Sequence, residues 1–317
     1  MKFKIIKLTG FLTLVFLFSC ARCSKEQQEK PLKTLNPNEI IVGTFNIEWL
    51  GDGYDDRIER SENDYRNIAR IIEESQCDIV GVQEVENFNA LAKLIKYLPE
   101  YSFYITKDDA PQKVGLIFHK SLKVKYIADY SPLEVEERKT RPGLIAAVEK
   151  GNFDFLALVV HFKATSRFDD TKEKVEQSRI LRTKQAQVVS NWVDSILGQK
   201  DEEDLLIIGD FNDTPLRKKY NTLIPLLSNS NLIFLTAELK SCKFPNAYVI
   251  DHILITKQSL KRFIDNSIAM YNTFRTYPQE LAQKISDHCL IFGRFDVTHP
   301  DNDPSDYFGK KNISLKN

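Results

Sequence analysis

Six apolar runs of this chain each stop on a side chain able to bind a metal, carry a proton or grip a phosphate. They end at Asn46, at Glu84, at His161, at Asp210 with Asn212, at Asp251, and at Asp287 with His288. Singly, none is informative: a histidine after "LVV" is usually a satisfied core residue, and an aspartate after a strand usually forms a turn. Their recurrence is informative, because buried strands hold their terminal residues rigidly at one edge of a sheet. The chemistry that uses the whole set is phosphodiester hydrolysis. Carboxylate oxygens such as those of Glu84 and Asp287, with the amide oxygen of Asn46, suit Mg²⁺ or Mn²⁺. Such a cation offsets the charge that builds on a phosphoryl transition state. Asp210 is suited to orient or deprotonate water, and Asn212 to hold a phosphate oxygen without repelling the nucleophile. His288 with Asp251 makes a natural donor to phosphate.

The elements that must position these residues can be read from periodicity. "EIIVGTFNI" is β-rich, and residues 61–75 place Tyr65, Ile68, Ile71 and Ile72 at helical spacing. "DIVGVQEVEN" precedes a helix over 88–98, and "YSFYIT", "KVGLIFHK" and "LKVKYIADY" follow as strands. "LIAAVEKGNFDFLALVVHFKA" is a hairpin turning at Gly151-Asn152. A helix over 171–198 puts Val175, Leu181, Val188, Trp192 and Ile196 on one side. The strand "DLLIIGD", a short helix near 215–227, and the strands "YVIDHILIT" and "HCLIFGRFDV" complete the pattern. No low-complexity linker cuts 39–297, so a single α/β domain of two packed sheets flanked by helices is expected. Residues 298–317 read as a polar tail, and "DNDPSD" within it lacks the glycine and distal glutamate of a calcium loop, so it reads as solvated.

The segments "GTFNIEWL", "DIVGVQEVEN", "LVVHFKA", "IIGDFND", "YVIDHILI" and "ISDHCLI", in this order, resemble the motifs of the endonuclease/exonuclease/phosphatase family, which includes deoxyribonuclease I. The resemblance spans about 41–295 and implies a four-layer α/β sandwich of two packed mixed β-sheets with the site at one edge. It implies that Asn46 and Glu84 hold a metal with Asp287 nearby, and Glu48 stands where some relatives carry a second acid. It also implies that His161 and His288 contact phosphate, Asp251 supports His288, Asp210 activates water and Asn212 orients the water or the phosphate. Arg141, in "TRPG", matches a family arginine that binds phosphate, or else is a surface charge beside a Pro-Gly turn. Where deoxyribonuclease I-like enzymes carry a tyrosine and an acid, this chain has "APQKVG", so His161 is expected to lack a carboxylate partner. His252 is unusual for the family and reads as a solvated or strand-paired side chain. The implied cofactor is Mg²⁺, with Mn²⁺ or Ca²⁺ as substitutes.

The resemblance does not choose a substrate. Residues 161–185 carry Lys163, Arg167, Lys172, Lys174, Arg179, Arg182 and Lys184, either a groove for a nucleic-acid backbone or, with Asp169, Asp170, Glu173 and Glu176 among them, a solvated helical face. The wording of the motifs favours a nuclease on DNA or RNA. A phosphatase or phosphodiesterase for inositol phosphates or sphingomyelin-type lipids is the alternative; an exposed aromatic hairpin beside the site would favour lipid, and none is evident in the sequence. A non-catalytic surface binding protein would have lost a metal acid or Asp210, and all are present.

The 317 residues carry zero formal net charge and 42% hydrophobic residues, enough for a sizeable core and against nucleic-acid binding by overall charge. Residues 1–19 read as a signal peptide: Lys2, Lys4 and Lys7 precede "GFLTLVFLF", which is too short to span a bilayer. "LFSC" resembles the lipobox of bacterial lipoproteins, with Cys20 lipidated and 20–38 a polar tether. The expectation is a monomer with no protein partner, held by a lipid anchor at the bacterial cell envelope. Cys77 and Cys289 read as core thiols, and no cysteine spacing suggests a zinc or disulfide framework.

Overall fold

The computed structural model describes residues 35–301 apart from 167, together with 303–305 and 307–309. The signal peptide, Cys20, most of the tether and Arg167 lie outside the described residues. Among the described residues, no helix is long and apolar enough to cross a membrane.

Two six-stranded sheets form the centre. One holds β1 (Glu39–Leu50), β2 (Ile79–Val85), β3 (Tyr101–Ile105), β4 (Lys113–His119), β11 (Ala269–Met270) and β12 (Ile291–Asp296), in the order β11-β12-β1-β2-β4-β3. The other holds β5 (Lys123–Tyr130), β6 (Gly143–Lys150), β7 (Phe153–His161), β8 (Leu205–Asp210), β9 (Leu232–Phe234) and β10 (Asp251–Thr256), in the order β5-β6-β7-β8-β10-β9. Both are mixed: β1 runs parallel to β2 and β7 to β8, within otherwise antiparallel neighbours. The continuous apolar runs follow from cover on both faces. In β6, Leu144, Ala146 and Val148 meet the facing sheet, while Ile145 and Ala147 meet the helix layer.

Helices α1 (Glu62–Ser75) and α2 (Phe88–Ile95) close the first sheet through Tyr65, Ile68, Ile72, Leu91 and Leu94. Ser61 and Asp64 cap α1 reciprocally. Helix α3 (Lys172–Gln199) and the single turn α4 (Ile224–Leu227) close the second through Leu181, Val189, Trp192, Val193 and Leu226. Helix, sheet, sheet and helix make the expected four layers.

The departures have local causes. The helix expected over 215–227 shrinks to α4 because the Asp213 carboxylate builds a loop there, accepting from Thr214 N–H, Thr222 N–H and the Thr222 hydroxyl and pairing with Arg217. On α3, Val175 and Val188 are only partly buried, and Gln185 and Val189 lie in the buried seam instead. The strands β9 and β11 and the helices α5 (Thr273–Thr276) and α6 (Gln279–Ile285) are too short to show a period.

Two expectations are corrected. Cys242 and Cys289 form a disulfide, with Cα atoms 6.4 Å apart, so Cys289 is not a core thiol; Cys77 is buried and free. The domain does not stop at 297: Tyr307 is 4% exposed within the helix-side core, and buried Arg262 donates to the carbonyls of His299 and Pro300 and pairs with Asp301.

Candidate active site

Three neighbouring strands of the second sheet deliver three of the chosen residues side by side. His161 at the end of β7 is in register with Asp210 at the end of β8, and Asp210 with Asp251 at the start of β10. Gly209 makes the approach possible: its φ is +153°, and a Cβ there would lie 2.0 Å from the Val160 carbonyl oxygen.

The first sheet contributes through irregularities. The β1–β2 register shifts between Asn46 and Leu50, and the β2–β4 register between Val82 and Val85. At these bulges Glu48, Trp49 and Glu84 take φ of 42°, 54° and 60°, and Asn212 takes 52°. Left-handed backbone at non-glycine residues costs about 1–3 kcal/mol each and persists where packing enforces it. Here it turns Glu48 and Glu84 toward the edge where the sheets meet. The sheets are stitched there by Asn46, whose Nδ2 donates to Glu84 Oε1 (3.2 Å) and to Asp210 Oδ2 (3.1 Å).

The titratable groups are held in different states. Burial, reinforced by Asp251, pushes the Asp210 carboxyl up to about 7, against the pull of His288, the Asn212 N–H and the Asn46 amide. His288 goes the opposite way. Burial disfavours its charge, but Asp251, 2.7 Å from Nδ1, together with Asp210 and Asp287, holds it well above the usual histidine range. His161, 2% exposed, is held well below that range by burial and by Arg141, His288 and Lys163. Arg141 Nη1 donates to His161 Nδ1 at 2.6 Å, which leaves the imidazole proton on Nε2, 3.7 Å from Asp210 Oδ2 and 3.9 Å from Glu84 Oε1. His161 thus has an arginine on Nδ1 in place of a carboxylate. Gln112, from "APQKVG", completes the chain by donating to Glu84 Oε2 (2.7 Å) and accepting from Arg141 (3.0 Å).

The proposed metal residues fall into two neighbouring groups. Glu48 Oε2 accepts from the Asp287 backbone N–H at 2.9 Å, and burial, then the Asp287 charge, raises the Glu48 carboxyl. Glu84 lies on the other side with Asn46 and Gln112. Glu48, Glu84 and Asp287 do not gather their oxygens within 4.8 Å of one another, whereas carboxylate oxygens of Asp210 and Asp251 and an imidazole nitrogen of His288 do lie that close. The all-oxygen donor set and the raised Glu48 carboxyl fit a hard divalent cation. Asn46 does not offer its oxygen as expected: Oδ1 accepts from the Glu48 N–H at 2.9 Å, and the amide nitrogen faces the carboxylates. Asn212 likewise directs Nδ2 to the Phe162 carbonyl (3.0 Å) and its N–H to Asp210 Oδ1 (2.7 Å), fixing Asp210. His252 is neither solvated nor in the site: it is fully buried, bonded to Thr236 and the Asp213 carbonyl, and held neutral by burial, at about 4.

Sequence reasoning missed Arg60, Gln112, Lys243 and Ser286, none of which ends an apolar run. Arg60, 7% exposed, reaches the carbonyls of Ile47, Glu48, Trp49, Lys284 and Ile285, clamping the bulge of Glu48 to the segment before Asp287. Ser286 Oγ donates to the Asn46 carbonyl and accepts from the His288 N–H. Arg60→Met orphans these carbonyls, and a loss of at least about 2 kcal/mol in denaturant unfolding is expected. A variant as stable as the parent would remove Arg60 from this role. Three of the basic residues after His161 are engaged by neighbouring groups. Arg182 is buried against Thr222, Thr165 and the Lys163 carbonyl, Lys174 pairs with Asp170, and Arg179 with Glu176.

A sheet-edge cluster with one carboxyl near neutrality, one neutral and one charged imidazole, and hard-cation donors defines a phosphoester hydrolase. The sequence pattern of the Endonuclease/Exonuclease/phosphatase family matches residues 35–232. The chain belongs to that family. Among solved structures, truncated Caenorhabditis elegans TDP2 superposes with a TM-score of 0.59 at 19% identity, covering 83% of this chain and 100% of that one. D. rerio TDP2 complexed with single-strand DNA product gives 0.59 at 18% identity, over 81% and 99%. A mannosyl-6-phosphatase from Bacteroides thetaiotaomicron gives 0.54 at 14%, over 81% and 99%. At such identities the likeness is one of fold. No curated protein matches the sequence.

Proposed function

We propose that this protein is a divalent-cation-dependent phosphodiesterase acting on DNA or RNA outside the cytoplasm. The observation that carries this reading is the convergence of His161, Asp210 and Asp251 in register at one sheet edge, with His288 Nδ1 held 2.7 Å from Asp251. Asp210 in its ionised form takes the proton of the attacking water. His161 Nε2–H and the His288 imidazolium donate to phosphate oxygens as negative charge grows there. Arg141 fixes the His161 tautomer and adds positive charge beside the phosphate. A cation taken up by the oxygens of Glu48 and Asp287, or by Glu84 in the neighbouring group, would offset charge on the phosphoryl group.

Nucleic acid is favoured by the neighbourhood of His288. A cavity of about 220 Å³ adjoins Asp251, Asp287 and His288 and is lined by Phe244, Tyr248, Met270 and Ile291. Lys243 stands 3.5 Å from Asp287 Oδ2 and 5.7 Å from the centre of the Phe244 ring. An aromatic face beside a cation suits a base next to a phosphate. Phe244, 61% exposed, also gives the lipid reading its one supporting observation, but a single ring flanked by lysine is no contiguous apolar patch. The disulfide supports an oxidising compartment, in keeping with lipidation at Cys20 and anchorage to the bacterial envelope.

The deciding experiment incubates the purified protein with plasmid DNA, RNA, sphingomyelin and inositol phosphates, with Mg²⁺ or EDTA. EDTA-sensitive cleavage of nucleic acid is expected. Turnover of only the lipid or inositol compounds would reject the nucleic-acid assignment.

A further inference from the structure

Away from the catalytic edge, five carboxylates gather where the C-terminal segment crosses the starts of β7 and β8. Oxygens of Asp154, Asp301 and Asp303 lie within 4.8 Å of one another, as do those of Glu202, Asp204 and Asp303. Asp303 belongs to both groups. Solvated surface acids would explain such a cluster if its members faced water, but two do not. Glu202 and Asp204 are 1% and 0% exposed. Glu202 Oε2 and both side-chain oxygens of Asp204 have no hydrogen-bond partner, nor does Asp301 Oδ1.

The surrounding groups compensate incompletely. Arg262 Nη2 is 3.0 Å from Asp301 Oδ2, and Lys261 Nζ only approaches Asp204 Oδ2 at 3.9 Å. The single Ser305 hydroxyl proton serves either Asp154 Oδ2 or Asp303 Oδ1, 2.8 and 2.7 Å away, the Glu203 N–H donates to Asp303 Oδ2, and the Asp204 N–H to Glu202 Oε1. The hydroxyls of Ser259 and Tyr307 are directed to Asp204 and Glu202, and the Ser259 contact lowers the Asp204 carboxyl against the effect of its burial. Two cations against five carboxylates leave negative charge in a low-dielectric setting. Burial accordingly pushes Asp154 and Asp204 up to about 6 and raises Glu202 well above its ordinary range. Protonation alone does not satisfy the orphaned oxygens, because a neutral carboxyl still needs partners when buried.

We propose that this cluster is a binding site for a hard divalent cation of the calcium class, which fastens the segment carrying Asp301 and Asp303 to the body of the domain. The donors are oxygens throughout, which disfavours zinc and copper. Flexible carboxylates from three separate stretches suit the irregular, high coordination of calcium better than the strict octahedron of magnesium. Asp301, Asp303 and Ser305, in a stretch that reads as solvated in the sequence, find their partners on residues far upstream.

The test titrates Ca²⁺ into chelator-treated protein, following heat of binding and the unfolding midpoint. Binding at or below about 1 mM is expected, with a rise in the midpoint. Asp303→Asn should weaken that binding at least about tenfold, since it removes the carboxylate common to both groups. In chelator the same variant should melt above the parent, because a like charge has gone; in Ca²⁺ it should melt below. Glu202→Gln should show the same crossing. Hydrolysis at saturating Mg²⁺ should be unchanged by Asp303→Asn. A parent that binds no Ca²⁺ overturns the proposal. So does an Asp303→Asn protein that responds like the parent, or a response lost in Glu84→Gln but kept in Asp303→Asn, which would move the ion to the catalytic edge.

Discussion

Asp210→Asn is expected to lower kcat by about three to four orders of magnitude, the upper range for removal of a general base. The amide oxygen can still accept the Asn212 N–H that fixes the turn, while its NH2 faces the Asn46 amide, which must turn to accept from it, so the base is lost with the turn retained. Stability should move the other way. A carboxyl raised to about 7 in the folded protein binds its proton more tightly there than in the unfolded chain, so its ionisation costs stability as pH rises through that value. An uncharged amide at this position carries no such cost, and the variant should melt above the parent at alkaline pH. The parent's kcat/KM should rise with pH through about 7 as Asp210 ionises. An Asp210→Asn enzyme retaining a tenth of parental activity would reject Asp210 as the base.

His288→Ala should cost about two to three orders of magnitude in kcat, the scale of losing one charged donor to a developing oxyanion. The histidine acts as a unit with Asp251, whose Oδ2 holds Nδ1 at 2.7 Å while Oδ1 has no hydrogen-bond partner. Asp251→Asn in the His288→Ala background should therefore cost much less than it does alone, and a double-mutant cycle measures the difference. Strict additivity would mean that Asp251 acts on something other than the imidazole. Because His288 is held charged well above the ordinary histidine range, the alkaline limb of the rate profile should lie above that range as well.

The framework of this molecule was legible from its apolar runs. Residues such as Ile40, Val42, Ile79 and Ile208 are strand-forming and buried, and each run closes on a residue that reaches the shared edge. His161, Asp210 and Asp251 could be found because parallel or antiparallel register converts ends of runs into neighbours in space. What escaped were residues whose importance lies in long-range contact. Arg60 sits in a charged stretch, and its partners Lys284 and Ile285 lie 224 and 225 positions away. Gln112 is one polar residue among several, distinguished only by meeting both Glu84 and Arg141. Asn46 was found by type but its amide is turned about, which depends on the left-handed backbone of Glu48 behind it. Cys242 and Cys289, 47 positions apart, carry no spacing signal and pair only because a loop folds back onto the segment leading into β12.

That crosslink bears on how the protein is prepared. Closing a chain segment of 47 residues is worth about 4 kcal/mol by the loop-entropy relation. One sulfur belongs to the residue directly after His288, and the other precedes Lys243, the lysine facing Asp287. Material produced in a reducing host would carry two thiols at this point and a slacker imidazole, so turnover numbers from different batches become comparable only after their oxidation state has been counted.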